Sequence, residues 1–202
     1  MKQGEIGAAI LTALVALPLV FVFAHAVADG EVRRKEAPVR GLLGDAAYDA
    51  LEKGEGTAQN YLGNDRIAPN FELRDQRGAM WRLSDHRGKV VVMNFWTITC
   101  GPCVEEMPSL EALAVSLRER DDVELVTVSA DRDWATARTV LSARTPLRVL
   151  FDSEREVITG KFGTRLFPET WIIDKDGVIR MRIDAARDWS SPLALDVIDS
   201  YR

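Results

Sequence analysis

The chain has 202 residues, a formal net charge of −5 and 28% charged residues, a composition that gives no reason to expect a basic surface for nucleic acid. Its 47% hydrophobic content is enough for one ordinary core. The only histidines are His25 and His86, and the only cysteines are Cys100 and Cys103. A four-ligand zinc site would have to recruit distant carboxylates, so no metal site is predicted.

The N-terminal residues predict attachment to a membrane. Residues 6–27 form an almost uninterrupted apolar run, and about 20 apolar residues suffice to span a bilayer as a helix. Ala24, His25 and Ala26 also match the small-x-small pattern of a signal-peptide cleavage site. Because the run is longer than a usual signal core, we expect residues 1–28 to be an uncleaved transmembrane anchor, with a removable signal sequence as the alternative.

Residues 29–66 hold many Gly, Ala and charged residues, which favours a linker. A short helix over 42–51 is the alternative for part of this stretch. The remaining residues, 67–202, are predicted to form the single folded domain.

From residue 68 onward, strand and helix patterns follow each other closely. Residues 69–73 and 80–83 alternate apolar and polar side chains around a turn, which predicts a hairpin. Buried strands are predicted at 89–95 and 123–129, and a short apolar stretch follows at 147–151. Residues 170–174 and 178–183 predict a second hairpin around Gly177.

Helices are predicted at 102–120, from an N-cap at Asp131 or Asp133 to about 144, at 154–162 with Gly163 as its end, and at 192–201. The order of elements predicts an α/β fold with a central mixed β-sheet, helices on both faces and an added N-terminal β-hairpin. The first strand–helix–strand unit should be parallel and right-handed.

The two cysteines lie in Cys100-Gly101-Pro102-Cys103, between a predicted strand and a predicted helix. Cys100 should therefore lie near a helix N-terminus, where free N–H groups favour the thiolate. A bridge across so short a gap removes little chain entropy, so a purely structural disulfide is a poor explanation. The spacing predicts a redox dithiol in which Cys100 attacks and Cys103 resolves the mixed disulfide.

Glu106 is the predicted proton acceptor for Cys103, because it follows three residues later on the same helix face. A partly buried carboxylate has a raised pKa and suits acid–base work near neutrality. The alternative is an exposed first-turn charge that complements the helix dipole. Glu105 is interpreted as a surface charge, and Asn94 cannot accept a proton.

Several motifs together resemble a known family. They are Asn94-Phe95-Trp96, the Cys-Gly-Pro-Cys tetrapeptide, Glu106 with Pro108, Pro168-x-Thr170, and Ile-Ile-Asp-x-Asp-Gly at 172–177. Over about 68–202 they resemble the membrane-anchored TlpA/ResA-like thioredoxins. The resemblance implies a thioredoxin-like fold and thiol–disulfide oxidoreductase activity without a cofactor. Thr99 departs from the family, which usually has an aromatic residue before the first cysteine.

The resemblance also implies how substrates dock. The peptide bond before Pro168 should be cis and lie against the dithiol. The residues expected to bind substrate are Trp96, Gly101, Pro102, Phe167 and Pro168. Trp96 is expected to shield the dithiol, with a core tryptophan as the alternative. Substrates in this family are often apocytochromes c or other exported proteins, and the electrons come from a membrane thiol donor of DsbD/CcdA type.

The side of the membrane is predicted from two opposing arguments. Arg33, Arg34 and Lys35 follow the apolar run and favour a cytoplasmic domain under the positive-inside rule. Against that, a dithiol domain acts on disulfides, and disulfides form outside the cytoplasm. We therefore expect a single-pass protein of the inner membrane with the domain on the periplasmic side.

Two other functions fit parts of the sequence. Thr97-x-x-Cys100 resembles half of the peroxiredoxin motif, so a thiol peroxidase is one alternative, and peroxide turnover would favour it. A copper-carrying or chaperone module is the other, although no histidine follows His86. His86 itself is interpreted as a loop histidine. The tryptophans predicted only to pack are Trp81, Trp134, Trp171 and Trp189.

Overall fold

The computed structural model describes residues 18–24, 26–27, 30, 37–52 and 67–202. The strands are β1 (Glu72–Arg74), β2 (Met80–Arg82), β3 (Val90–Trp96), β4 (Val123–Ser129), β5 (Arg148–Phe151), β6 (Glu169–Ile173) and β7 (Ile179–Asp184). The α-helices are α1 (Asp45–Glu52), α2 (Gly101–Ser116), α3 (Trp134–Ala137) and α4 (Pro192–Asp199). A 3₁₀-helix spans Leu83–His86 and a π-helix spans Glu156–Lys161.

Five strands form a mixed sheet in the order β5-β4-β3-β6-β7. β3 pairs parallel with β4 and antiparallel with β6, so it is the central strand. All seven of its residues are buried, as expected for a strand covered on both faces. The predicted mixed sheet and thioredoxin-like fold are confirmed.

The alternation of side chains along β3 divides the core between the two faces of the sheet. One cluster contains Val90, Val92 and Trp96 together with residues of α2 and α4. The other contains Val91, Met93 and Phe95, and it is covered by the β1–β2 hairpin and the π-helix. The second face is therefore covered by a hairpin and a single π-helical turn, where α-helices were predicted.

The N-terminal hairpin docks on the edge of the sheet through the side chain and backbone of Gln76. Gln76 accepts a bond from the Val149 N–H at 2.9 Å and donates to the Leu147 carbonyl at 2.8 Å, while its own N–H donates to the Val149 carbonyl at 2.9 Å. These bonds satisfy backbone groups of β5 that would otherwise form an open edge.

Two helix predictions are corrected. The helix predicted from Asp133 to about 144 ends at Ala137. Asp133 does cap it, accepting from the Thr136 N–H at 2.9 Å, but the β-branched residues that follow have weak helix propensity and the chain continues in turns. The helix predicted at 154–162 is a π-helix, because the Asp152 carboxylate accepts the N–H groups of both Val157 and Ile158.

The histidine prediction is also corrected. His86 is the last residue of the 3₁₀-helix, so it does not lie in a loop as predicted. Its ring stacks on Trp81 with the centroids 4.6 Å apart. The Trp81 indole N–H in turn donates to Glu124 on β4 at 3.2 Å.

Part of the predicted linker contacts the domain. Residues 37–52 are helical apart from Gly44, and Val39 and Tyr48 belong to the core cluster on the α2 face. A methyl group added at Gly41 would come within 3.1 Å of Leu193 on α4, so glycine permits close helix packing there. The helix alternative for 42–51 is the one observed.

The predicted anchor falls largely outside the described residues. Residues 18–24 are helical. No helix within the described ranges is both long enough and apolar enough to cross a bilayer.

Candidate active site

The two cysteines lie where β3 leads into α2, at the end of the central strand. Cys100 is the N-cap residue of α2, and Cys103 lies in its first turn. The two are joined by a disulfide with the Cα atoms 5.2 Å apart. The Cys103 N–H donates to the Cys100 sulfur at 3.2 Å, so an unpaired backbone donor of the helix start contacts the atom that would carry thiolate charge.

The exposure of the two sulfurs separates their roles. Cys100 is partly exposed, whereas Cys103 is fully buried. An incoming disulfide can therefore reach Cys100 and not Cys103. This placement agrees with the predicted order of attack and resolution.

The turn before Cys100 is held by a carboxylate that sequence reasoning assigned only to a possible helix cap. Asp131, at the end of β4, accepts from the Thr97 hydroxyl at 2.7 Å and from the Ile98 N–H at 3.0 Å. It also accepts from the Ser129 hydroxyl at 2.8 Å. The chain from β3 to the dithiol is thus tied to the neighbouring strand.

Replacing Asp131 with alanine should therefore destabilise the fold. Two buried hydroxyls and one backbone N–H lose their acceptor, and unsatisfied buried donors cost about 1–3 kcal/mol. We expect chemical denaturation of the full-length chain to show a loss of unfolding free energy in this range. The exposed Asp121, at the other end of β4, is the control. Equal losses for Asp121→Ala and Asp131→Ala would contradict the assignment.

Glu106 lies on α2, three residues after Cys103, and only 3% of its surface is exposed. Its carboxylate accepts three hydrogen bonds. Asn94 donates from its side-chain amide at 2.8 Å, Arg187 from its backbone N–H at 3.1 Å, and Trp189 from its indole N–H at 3.2 Å. The exposed first-turn alternative for Glu106 is therefore not what the structure shows.

Burial raises the pKa of Glu106, since a carboxylate loses hydration there. The bonds from Arg187, Asn94 and Trp189 favour the ionised form and lower the pKa in part. The raised value brings this carboxyl group toward the pH range in which thiols exchange protons. Glu105, the adjacent carboxylate, is exposed as predicted.

Sequence reasoning missed the loop that follows β7. Trp189 was predicted only to pack, yet its indole N–H contacts the Glu106 carboxylate. Ser109, on α2, bridges to the same loop by accepting from the Trp189 N–H at 3.1 Å. No motif marks residues 186–190, because the contact joins positions about 80 residues apart in the chain. A polar loop beside a buried tryptophan was the one available signal.

The bond between Phe167 and Pro168 is cis, as predicted. β6 runs antiparallel to β3, with Glu169 opposite Phe95. The start of β6 therefore lies beside the end of β3, and Pro168 is brought to the same end of the sheet as the dithiol. Phe167 is partly exposed there and Pro168 is buried.

The other three predicted substrate residues divide into two groups. Gly101 and Pro102 are exposed beside the disulfide, so a docked substrate can reach them. Trp96 is fully buried within the core cluster on the α2 face. It belongs to the same core cluster as Cys103 and presents no surface to a partner.

A buried and a partly exposed cysteine in one disulfide, at a helix start and beside a cis-proline, define a thioredoxin-fold thiol–disulfide oxidoreductase. Comparison with known proteins agrees. The chain belongs to the AhpC/TSA family, whose sequence model matches residues 65–182. It is 33% identical over 143 residues to the thiol-disulfide oxidoreductase ResA of Bacillus thuringiensis subsp. konkukian, covering 70% of this chain and 82% of that protein.

Solved structures give the same class. A thiol:disulfide interchange protein DsbE from Chlorobium tepidum superposes with a TM-score of 0.59 at 25% identity, covering 69% of this chain and all of that one. The exposed lipoprotein thioredoxin Etrx1 of Streptococcus pneumoniae gives 0.55 at 26% identity, with 63% and 98% covered. The resemblance to ResA-like thioredoxins is confirmed, and the chain is a thiol–disulfide oxidoreductase.

Proposed function

We propose that this oxidoreductase reduces disulfides of exported proteins, apocytochromes c among them, while held at the outer face of the inner membrane. The observation that carries the proposal is the pairing of a reachable sulfur on Cys100 with a buried one on Cys103. Cys100 can form a mixed disulfide with a large partner. Cys103 can then release that partner by forming the Cys100–Cys103 disulfide. The haem-attachment motif Cys-x-x-Cys-His is a suitable partner, since its two thiols must be reduced before haem is attached.

The chemistry runs in two exchanges. The Cys100 thiolate attacks one sulfur of the substrate disulfide, forming a mixed disulfide and releasing the other sulfur as a thiolate. The Cys103 thiol gives its proton to Glu106, and its sulfur attacks Cys100. The substrate leaves with both sulfurs reduced. The two electrons it gained come from Cys100 and Cys103, which are now joined by a disulfide.

The disulfide form must then be reduced for the next cycle. We assign this step to a membrane thiol donor of the DsbD/CcdA type, which would attack Cys100 as the exposed sulfur. The donor's two thiols become a disulfide while the Cys100–Cys103 bond opens. No bound cofactor takes part in either half of the cycle.

The membrane location is supported by the described N-terminal residues. Five consecutive apolar side chains, residues 19–23, are each 63–71% exposed on a helical segment. Exposed apolar side chains of this kind suit the interior of a lipid bilayer, which the apolar sequence of residues 6–27 also fits. One solved relative, Etrx1, is itself described as an exposed lipoprotein.

A trapping experiment in the native cells tests the proposal. With Cys103→Ser in the full-length chain, the mixed disulfide on Cys100 cannot be resolved and accumulates. After acid quenching and thiol blocking, we expect adducts with exported proteins that dithiothreitol releases. We also expect the protein in the membrane fraction, with residues 1–27 retained on N-terminal sequencing.

The Cys100→Ser variant is the matched control, because it lacks the attacking thiol and should form no such adducts. Adducts made only with cytoplasmic proteins would contradict the proposed location. A mature protein that starts near Val27 would replace the anchor with a cleaved signal sequence.

A further inference from the structure

A hollow of about 610 Å³ adjoins the cis-proline. It lies between the segment that precedes β6 and the end of β7. Its walls include Arg165, Leu166, Phe167, Pro168, Arg182 and Ala185. We call it the Arg165 hollow. Because Pro168 lies at the dithiol end of the sheet, the hollow opens beside the site of disulfide exchange.

The rim of the hollow exposes an apolar side chain. Leu166 is 82% exposed, the largest value among the exposed large hydrophobic residues in the described ranges. Its neighbour Phe167 is partly exposed. An exposed leucine and phenylalanine next to an active site are suited to contact the apolar part of a bound chain.

The charges of the hollow are unequal. Arg182 is already paired, since it forms an ion pair with the buried carboxylate of Glu169. Arg165 is exposed and forms no ion pair within the described residues. The Arg155 guanidinium lies 5.5 Å above the Phe167 ring and adds a second cation at this rim. Asp184 also lines the hollow, but its carboxylate pairs with Arg182 at 3.3 Å. Arg165 and Arg155 therefore give this rim an excess of positive charge, on a chain whose net charge is −5.

One wall of the hollow has strained backbone. Ala185 has a φ of 66°, a left-handed conformation that is unfavourable for a non-glycine residue and is frequent at ligand-binding positions. Its N–H donates to the Pro168 carbonyl at 3.1 Å. The strained residue thus ties the end of β7 to the cis-proline and fixes the shape of the wall.

We propose that the Arg165 hollow is a specificity subsite for an extended substrate segment that carries an acidic side chain close to its disulfide-bonded cysteine. The acidic group lies near Arg165 and Arg155, and an apolar part of the segment lies on Leu166. The inference rests on the proposed reduction of protein disulfides and adds the class of sequence that is preferred. Complementary charge at such a rim acts mainly on the rate of association and is weakened by salt.

Three synthetic peptides test the subsite. Each has one cysteine held as a mixed disulfide with a chromogenic thiol, and Asp, Asn or Lys is placed on both sides of that cysteine. The measurement is the second-order rate constant with the reduced full-length chain at low ionic strength. We expect the Asp peptide to react about tenfold faster than the Lys peptide, with the Asn peptide between them, and the difference should shrink as salt is added.

Two charge-reversal variants separate the subsite from the overall charge. Arg165→Glu should abolish or invert the preference for the Asp peptide. Arg118→Glu changes the net charge equally but lies beyond the far end of α2, so it should keep the preference. Equal rates for the three peptides would overturn the subsite and leave the reductase function standing. Failure of all three to react would overturn both, and a preference unchanged in Arg165→Glu would overturn the subsite alone.

Discussion

The Cys100→Ser variant is expected to lose disulfide reductase activity by on the order of a thousandfold or more in kcat/KM, because a serine hydroxyl cannot replace the attacking thiolate. Cys100 carries the sulfur that a partner can reach, and this sulfur accepts a hydrogen bond from the Cys103 N–H at the start of α2. The measurement is the reduction of a protein disulfide by the full-length chain with a dithiol donor.

The Cys103→Ser variant should behave differently from Cys100→Ser. It retains the reachable thiol, so it should react once and then stall as a mixed disulfide. Stopped-flow release of the first substrate thiol, followed by mass spectrometry of the adduct, distinguishes the two variants. If Cys100→Ser kept the wild-type rate while Cys103→Ser lost the first reaction, the assigned roles would be reversed.

The second large effect is expected at Glu106. Glu106→Gln should slow resolution of the mixed disulfide by at least about tenfold, since general acid–base groups typically contribute about 100- to 10,000-fold. The pKa of Glu106 is raised by burial, so the wild-type resolving rate should climb as pH rises through that value and the carboxylate becomes available as a base. Glutamine cannot accept the proton, and this rise should be missing.

Two variants serve as controls for Glu106. Glu105→Gln removes the adjacent but exposed carboxylate and should leave the pH–rate profile unchanged. Trp189→Phe removes one of the three donors to Glu106. Loss of this hydrogen bond disfavours the ionised form of Glu106, so the pKa of Glu106 should rise further. The rising part of the pH–rate profile should then move to higher pH. An unchanged profile in Glu106→Gln would restrict this residue to a structural role.

The same raised pKa affects stability. Because the folded protein holds the Glu106 proton more tightly than the unfolded chain, the stability that this group contributes is present below about pH 4.5, the ordinary glutamate value, and is lost as pH rises through the folded-state pKa. Glu106→Gln should therefore flatten the decline of unfolding free energy above that pH. Glu169, whose pKa burial also raises, keeps its own contribution in this variant.

Local sequence determined the chemical class of this protein. A buried strand, two cysteines separated by Gly-Pro and a following helix are all short-range patterns, and they were sufficient to place Cys100 at a helix start with Cys103 one turn deeper. The hairpins were equally local, because Gly78 and Gly177 adopt the positive φ values that their turns require.

Only the tertiary structure decided how the site is completed. Trp189 and Arg187 reach Glu106 from a loop about 80 residues away, and Asp131 holds the turn at Thr97 from a neighbouring strand. Such contacts depend on which strands pair, which no local pattern encodes. The π-helix is a separate departure, since the Asp152 side chain satisfies the N–H groups of Val157 and Ile158 in a way that overrides helix propensity.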